Sequence, residues 1–268
     1  MIKKFLICFS LTLTFSLLFV NQDFAQVKQA PAKKTTTVKK ATTVKKTTTV
    51  KKASTVKKAL PVAKKVVKPV IQNGGTIKIR VITDSGTMVI RLYDSTPLHR
   101  DNFAKLVSEG FYDSLMFHRV IPQFMIQGGD PLSKNAPAGT MLGNGGDNLT
   151  RIPAEFKPYL FHKKGVLAAA RDNNPEKASS ACQFYIVEGK LWTDAELDMM
   201  ESQSGKKFTP QQRGAYKEQG GTPFLDMNYT VFGEVESGME VIHKIASVPR
   251  DQSDRPRGDV RMHIELVK

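Results

Sequence analysis

One stretch of the chain gathers side chains that could act on a bound molecule: Phe117-His118-Arg119-Val120-Ile121-Pro122-Gln123-Phe124-Met125-Ile126-Gln127-Gly128-Gly129-Asp130. Read as two strands of period two, it points Arg119, Met125 and Gln127 toward a common side. Such a trio offers a permanent charge, an amide and an apolar surface, a combination odd for a core and odd for a plain surface. Periodicity alone favours a blander reading, an arginine closing a salt bridge at the rim of a barrel. The other reactive residue types form no comparable group. His99, His118, His162, His243 and His263 share no ligand spacing, so no metal centre is expected. Cys182 has no CxxC partner and reads as a buried strand thiol. Gly143-Asn144-Gly145-Gly146 lacks the GK[ST] of a phosphate loop and reads as a turn.

The elements that would carry these residues are mostly short strands. Ile77, Ile79 and Val81 alternate with Lys78 and Arg80, and Met88, Ile90 and Leu92 alternate with Val89 and Arg91, so Asp84-Ser85-Gly86 predicts a hairpin. A helix should follow, with Thr96 as N-cap, Pro97 at the first helical position, Phe103, Leu106 and Val107 on one face, and Gly110 ending it. Further strands are expected at 115–121, 124–128, 165–170, 183–187, 231–235 and 260–267, with a short one at 152–156 and a helix at about 238–247. In the last strand Val260, Met262, Ile264 and Leu266 share a face. Two capping boxes, Thr193 with Glu196 and Thr209 with Gln212, predict helices at about 194–203 and 210–219, ended by Gly205 and by Gly220-Gly221. Many short strands with Gly and Pro turns imply a mostly β, closed eight-stranded antiparallel barrel, since closure removes exposed edges, with a helical hairpin inserted at about 190–221.

The stretch from Phe117 to Asp130 resembles the signature of the cyclophilin-type peptidyl-prolyl isomerases. The resemblance continues through Gly165-Val166-Leu167-Ala168-Ala169-Ala170, Ser180-Ala181-Cys182-Gln183-Phe184-Tyr185-Ile186, Phe224-Leu225-Asp226 and Val231-Phe232-Gly233-Glu234-Val235. It covers about residues 76–268 and is interrupted only at the helical insert. What it implies is an eight-stranded barrel capped by two helices, and catalysed rotation about X–Pro bonds in proline-containing polypeptides. That rotation breaks amide resonance, against a barrier of ~18–20 kcal/mol, and severs no bond. It therefore calls for no cofactor, nucleophile or metal, but for a donor near the prolyl nitrogen whose lone pair localises as the amide twists.

By this resemblance Arg119 is the catalytic cation, and Gln127 orients it and bonds the substrate backbone. Gln183 is a second backbone-binding position. Phe124, Met125, Tyr185 and Leu225 match the apolar pocket for the proline ring, while Ala170 and the backbone of Arg171 match the site for the preceding residue. Shortening tens of seconds to milliseconds is ~10⁴-fold, or about 5.5 kcal/mol. One well-placed charged donor supplies roughly 2.7–4 kcal/mol of it, and an apolar site that favours the twisted amide can supply the rest. Departures touch the walls: Phe224 stands where well-known members carry Trp, Tyr229 where they carry His, and Arg171 where Asn is usual. Losing the indole donor should weaken binding of the cyclic peptide cyclosporin more than it weakens isomerisation. The alternative reading is a cyclophilin-like groove used for peptide binding or chaperoning, with catalysis incidental.

The remainder of the chain is an appendage. Its formal net charge is +15, yet residues 69–268 balance 24 Lys and Arg against 24 Asp and Glu, and fourteen lysines with no acid fall between 28 and 68. A basic nucleic-acid-binding domain is thus not indicated, and no specific nucleic-acid partner is expected. Residues 1–25 read as a signal peptide: Lys3 and Lys4, an apolar run Phe5–Val20, then Ala25, with Asp23 an atypical cleavage residue. Cys8 lies within that run, so only Cys182 would remain in the mature chain. Residues 26–74 read as an extended linker, with TTTVKK, ATTVKK, TTTVKK and ASTVKK repeating at a period of six. This predicts an exported, periplasmic or envelope-associated monomer on a spacer that could also meet anionic envelope polymers. The isomerase domain is expected at 75–268.

Overall fold

A computed structural model describes residues 76–267; the expected signal peptide and repeat linker lie outside them. β1 (Lys78–Thr83) and β2 (Gly86–Leu92) form the predicted hairpin, with Thr83 opposite Gly86. Gly86 has φ +135° and a Cβ there would meet Val241 at 2.7 Å, so the turn requires glycine. Ile79, Val81, Met88, Ile90 and Leu92 all point into one core, as their alternation predicts.

After α1 (Pro97–Ser108) come β3 (Phe117–Ile121), β4 (Met125–Gly128), β5 (Val166–Ala169) and β6 (Phe184–Val187). The insert, α2 (Asp194–Ser204) and α3 (Pro210–Glu218), is followed by β7 (Val231–Ser237), α4 (Met239–Ala246) and β8 (His263–Leu266). The eight strands form one antiparallel sheet, β3-β4-β6-β5-β7-β2-β1-β8, curled into a half-barrel. Just before its two end strands, Met116 bridges Arg261, Phe117 N donates to Val260 O at 2.9 Å, and Met262 N donates to Leu115 O at 2.8 Å. α1 lies against β7 and β8, and α4 against β2, β3 and β4.

β5 and β6 are buried at every position, which is why they read as apolar runs rather than as alternation. Leu167, Ala169, Phe184 and Ile186 fill the main core, whereas Val166, Ala168, Tyr185 and Val187 face outward into a second apolar cluster. Both capping boxes of the insert form, and Gly205 closes α2 at φ +69°. Phe161, Leu197 and Tyr216 give the hairpin a small core of its own.

Five local expectations are corrected. The strand at 152–156 is a single bridge between Ile152 and Ser179, because Pro153 has no N–H to extend the ladder. Phe124 sits in the turn before β4, after Gln123 at φ +61°. Cys182 is buried in a bend ahead of β6, not in the strand. The side chain of Thr96 does not cap α1; the Glu155 carboxylate accepts from Leu98 N at 3.1 Å and His99 N at 3.0 Å instead. Leu266, expected on the buried face of β8, is 37% exposed at the edge of the fold.

Candidate active site

A bulge decides which way Arg119 points. Register slips between Phe117 and Arg119, so that Phe117 faces Gly128 while Arg119 faces Gln127. The extra residue, His118, lets Phe117 fill the core and turns Arg119 to the outside. Simple alternation would have put both on one face.

From Arg119 a row runs across the outer face of the sheet. Arg119 pairs with Gln127, Gln127 with Tyr185, and Tyr185 with Ala168. The next row holds Ile121, Met125 and Val187. Met125, Ala170, Tyr185 and Leu225 belong to one buried cluster with Phe124 and Tyr229 packed at its margin. The guanidinium thus lies beside the apolar patch, with its side chain one third exposed (33%). Its nearest acid is Asp254, 3.8 Å from Nε, which is attraction without a hydrogen bond. Burial pulls the pKa of Arg119 below its usual value, partly offset by Asp254, and the group stays cationic.

The amides are set by a loop. Gln183 Nε2 donates to Gly143 O and Gly145 O, both at 2.9 Å, and Gln183 Oε1 accepts from Gln127 Nε2 at 3.3 Å. Gln127 therefore turns toward Gln183, not toward Arg119, and retains its oxygen and one N–H for a ligand. The glycine turn is itself held by buried Asp130, which accepts from Leu132 N and Gly143 N. A Cβ on Gly145 would fall 2.0 Å from that carboxylate.

The walls are braced too. The Arg171 guanidinium lies 4.7 Å over the Tyr229 ring and donates to Asn228 O at 2.9 Å, so its side chain fixes a wall. Phe224 is 47% exposed, its ring 5.8 Å from that of Phe124. Beneath the floor runs a buried chain that sequence reading missed. Tyr216 Oη of α3 donates to Asp226 Oδ2 at 2.6 Å, His162 Nδ1 donates to Asp226 Oδ1 at 2.9 Å, and Tyr185 Oη donates to His162 Nε2 at 2.9 Å. Burial holds the Tyr185 phenol protonated by raising its pKa well above the usual value. Of this chain only Tyr185, as a pocket residue, and Asp226, as the neighbour of Leu225, carried any signal; their link through His162 and Tyr216 did not.

A cleft of about 470 Å³ lies elsewhere, between α3 and the strand residues Arg91, Val166, Val231 and Glu234. It contains neither Arg119 nor Gln127 nor Gln183, so its size does not mark the chemistry.

Residues 78–265 match the family described as cyclophilin type peptidyl-prolyl cis-trans isomerase/CLD. A putative peptidyl-prolyl cis-trans isomerase of Staphylococcus saprophyticus is 32% identical over 200 residues, which are 73% of this chain and 94% of that protein. A Staphylococcus aureus protein of the same description is 33% identical over 189 residues, 69% of this chain and 89% of its own length. A putative bifunctional phosphatase/peptidyl-prolyl cis-trans isomerase of Streptococcus pyogenes is 35% identical over 195 residues, but the match spans only 38% of that longer protein. Among solved structures, a Cryptosporidium parvum cyclophilin type isomerase superposes with TM-score 0.52 at 23% identity, covering 72% of this chain and 99% of its own. With that match running through both Arg119 and Tyr185, the chain belongs to the cyclophilin-type peptidyl-prolyl cis-trans isomerases.

Proposed function

We propose that Arg119 and Gln127 are the catalytic pair of this isomerase, with Phe124, Met125, Tyr185 and Leu225 receiving the proline ring between Phe224 and Tyr229. Ala170 and the backbone of Arg171 take the residue before proline, and Gln183 binds substrate backbone while locking Gln127. The observation carrying this reading is the cross-strand row from Arg119 through Gln127 to Tyr185, which sets a fixed cation at the edge of an apolar floor. As the prolyl amide twists, its nitrogen gains lone-pair character that the guanidinium can hydrogen-bond, and the apolar floor favours the less polar twisted form. A second structure of the Cryptosporidium protein was obtained in the presence of the dipeptide Ala-Pro, which supports a proline-containing peptide as the ligand here.

The wider reading is an exported monomer: signal peptide 1–25, linker 26–74 and isomerase domain 75–268, assisting the folding of proteins outside the cytoplasm. The half-barrel is read as closed, given the Met116–Arg261 bridge, and as capped by α1 and α4. Exchange NMR on an X–Pro peptide, comparing the full chain with Arg119→Ala, tests the site. kcat/KM should fall about 10²–10³-fold at an unchanged thermal midpoint. Equal rates would remove Arg119 from the mechanism, and inactivity of both proteins would favour a peptide-binding module.

A further inference from the structure

The insert begins where the proline pocket ends. β6 leaves the sheet beside Phe124, whose carbonyl accepts from both Glu188 N and Gly189 N at 3.0 Å. The chain then delivers Leu191 and Trp192 to the rim. Trp192 lies 6.4 Å from Phe224, and Phe224 lies 5.8 Å from Phe124, so three rings run outward from the pocket floor.

Trp192 is held in place. Its indole N–H donates to Gly221 O at 2.9 Å and its backbone N to Tyr216 O at 3.1 Å. Lys190 Nζ sits 4.2 Å over the ring while pairing with Glu196 at 2.5 Å. The surface beside it is open: Leu191, its neighbour in the chain, is 62% exposed and Phe224 47%. One exposed apolar residue needs no explanation, but a contiguous strip continuing an apolar pocket marks a binding surface.

Strand register gives the strip a direction. Ala170 follows the row where Ala169 meets Phe184 and Phe184 meets Gly128, whereas Phe124 precedes the opposite end of β4. A peptide whose residue before proline lies at Ala170 therefore leaves the pocket over Phe124 and Phe224. We infer that Trp192, with Leu191 and Phe224, forms a subsite for a large apolar or aromatic side chain within the two residues that follow proline. The inference rests on the pocket assigned above.

Trp192 is the chain's only tryptophan, which gives a readout independent of catalysis. The full chain is titrated with N-blocked Ala-Ala-Pro-Phe-Leu and Ala-Ala-Pro-Gly-Gly while its emission is followed, and both peptides are assayed by exchange NMR. A saturable blue shift is expected with the Phe-Leu peptide alone. The kcat/KM ratio between the two peptides should fall about three- to tenfold in Trp192→Ala, the range expected for one aromatic contact. Leu191→Ser, which keeps the tryptophan and its hydrogen bonds, should lower the same ratio by a smaller factor, so the test survives if Trp192→Ala does not fold. Unmoved emission, an unchanged ratio in both variants, or an equal fall on both peptides overturns the subsite. A Phe-Leu-specific shift without isomerisation of either peptide upholds the subsite and sinks the catalytic reading instead.

Discussion

His118 is the residue that turns Arg119 outward, and its position makes it a titrating weak point. Burial drives its pKa down to about 4, with Arg119 and Arg255 adding to the shift and Asp130 opposing it. An unfolded histidine titrates near 6.5, so between those values the unfolded chain binds more protons than the folded one. Stability should therefore be full above about pH 6.5 and fall as the pH drops toward 4, by up to roughly 3 kcal/mol from this group. Buried His99, whose pKa is lowered mainly by burial, acts with the same sign. Urea unfolding from pH 7.5 to 4, wild type against His118→Gln, checks this: the variant should show the shallower acid slope. Parallel slopes would show that His118 is not the sensor. Isomerisation needs no proton transfer, so the catalytic rate should hold flat over the range where the fold persists.

Among the elements, α1 shows how a distant loop can stand in for a cap. Glu155 accepts from two N–H groups of its first turn and from buried His99 Nδ1 at 2.7 Å, placing a carboxylate at the positive end of the helix. Glu155→Ala should cost roughly 2–3 kcal/mol in chemical denaturation, since it removes a charge-assisted cap and strands a buried ring nitrogen. A loss below about 0.5 kcal/mol would mean that water replaces the carboxylate. Such long-range substitutions are what sequence reading cannot see. The hairpin at Asp84-Ser85, the capping boxes at Thr193 and Thr209 and the face of α1 were legible because each is written within a few adjacent residues. The candidate site residues were named by family resemblance; of them Arg119, Met125, Gln127 and Tyr185 share the outer face of the sheet, and Phe124, Ala170, Leu225 and Tyr229 from the flanking loops pack with Met125 and Tyr185. The His118 bulge escaped notice because period-two alternation carries no mark of an extra residue. Glu155 at α1, Tyr216 on Asp226 and Trp192 beside Phe224 escaped because each joins segments that are far apart in the chain. Trp192 also does not replace the indole donor absent at Phe224, because its N–H is committed to Gly221.

For the whole molecule, charge and catalysis are divided along the chain. Deleting residues 28–68 removes fourteen of the 40 basic residues and none of the 25 acidic ones, leaving a nearly neutral protein. If the linker engages anionic envelope polymers, retention on an immobilised polyanion should weaken steeply between about 50 and 200 mM salt and vanish in the deletion. kcat/KM on short peptides should be the same in both proteins. Salt-insensitive retention, or retention that survives the deletion, would locate the contact in the globular part. The buried chain from Tyr216 to Tyr185 has a consequence for how this fold can be remodelled. Excising the α2–α3 hairpin to recover a minimal half-barrel would take a hydrogen-bond donor from Asp226, and with it a restraint on the imidazole that steadies the Tyr185 ring. The hairpin and the floor have become one part, to be transplanted or redesigned together or left alone.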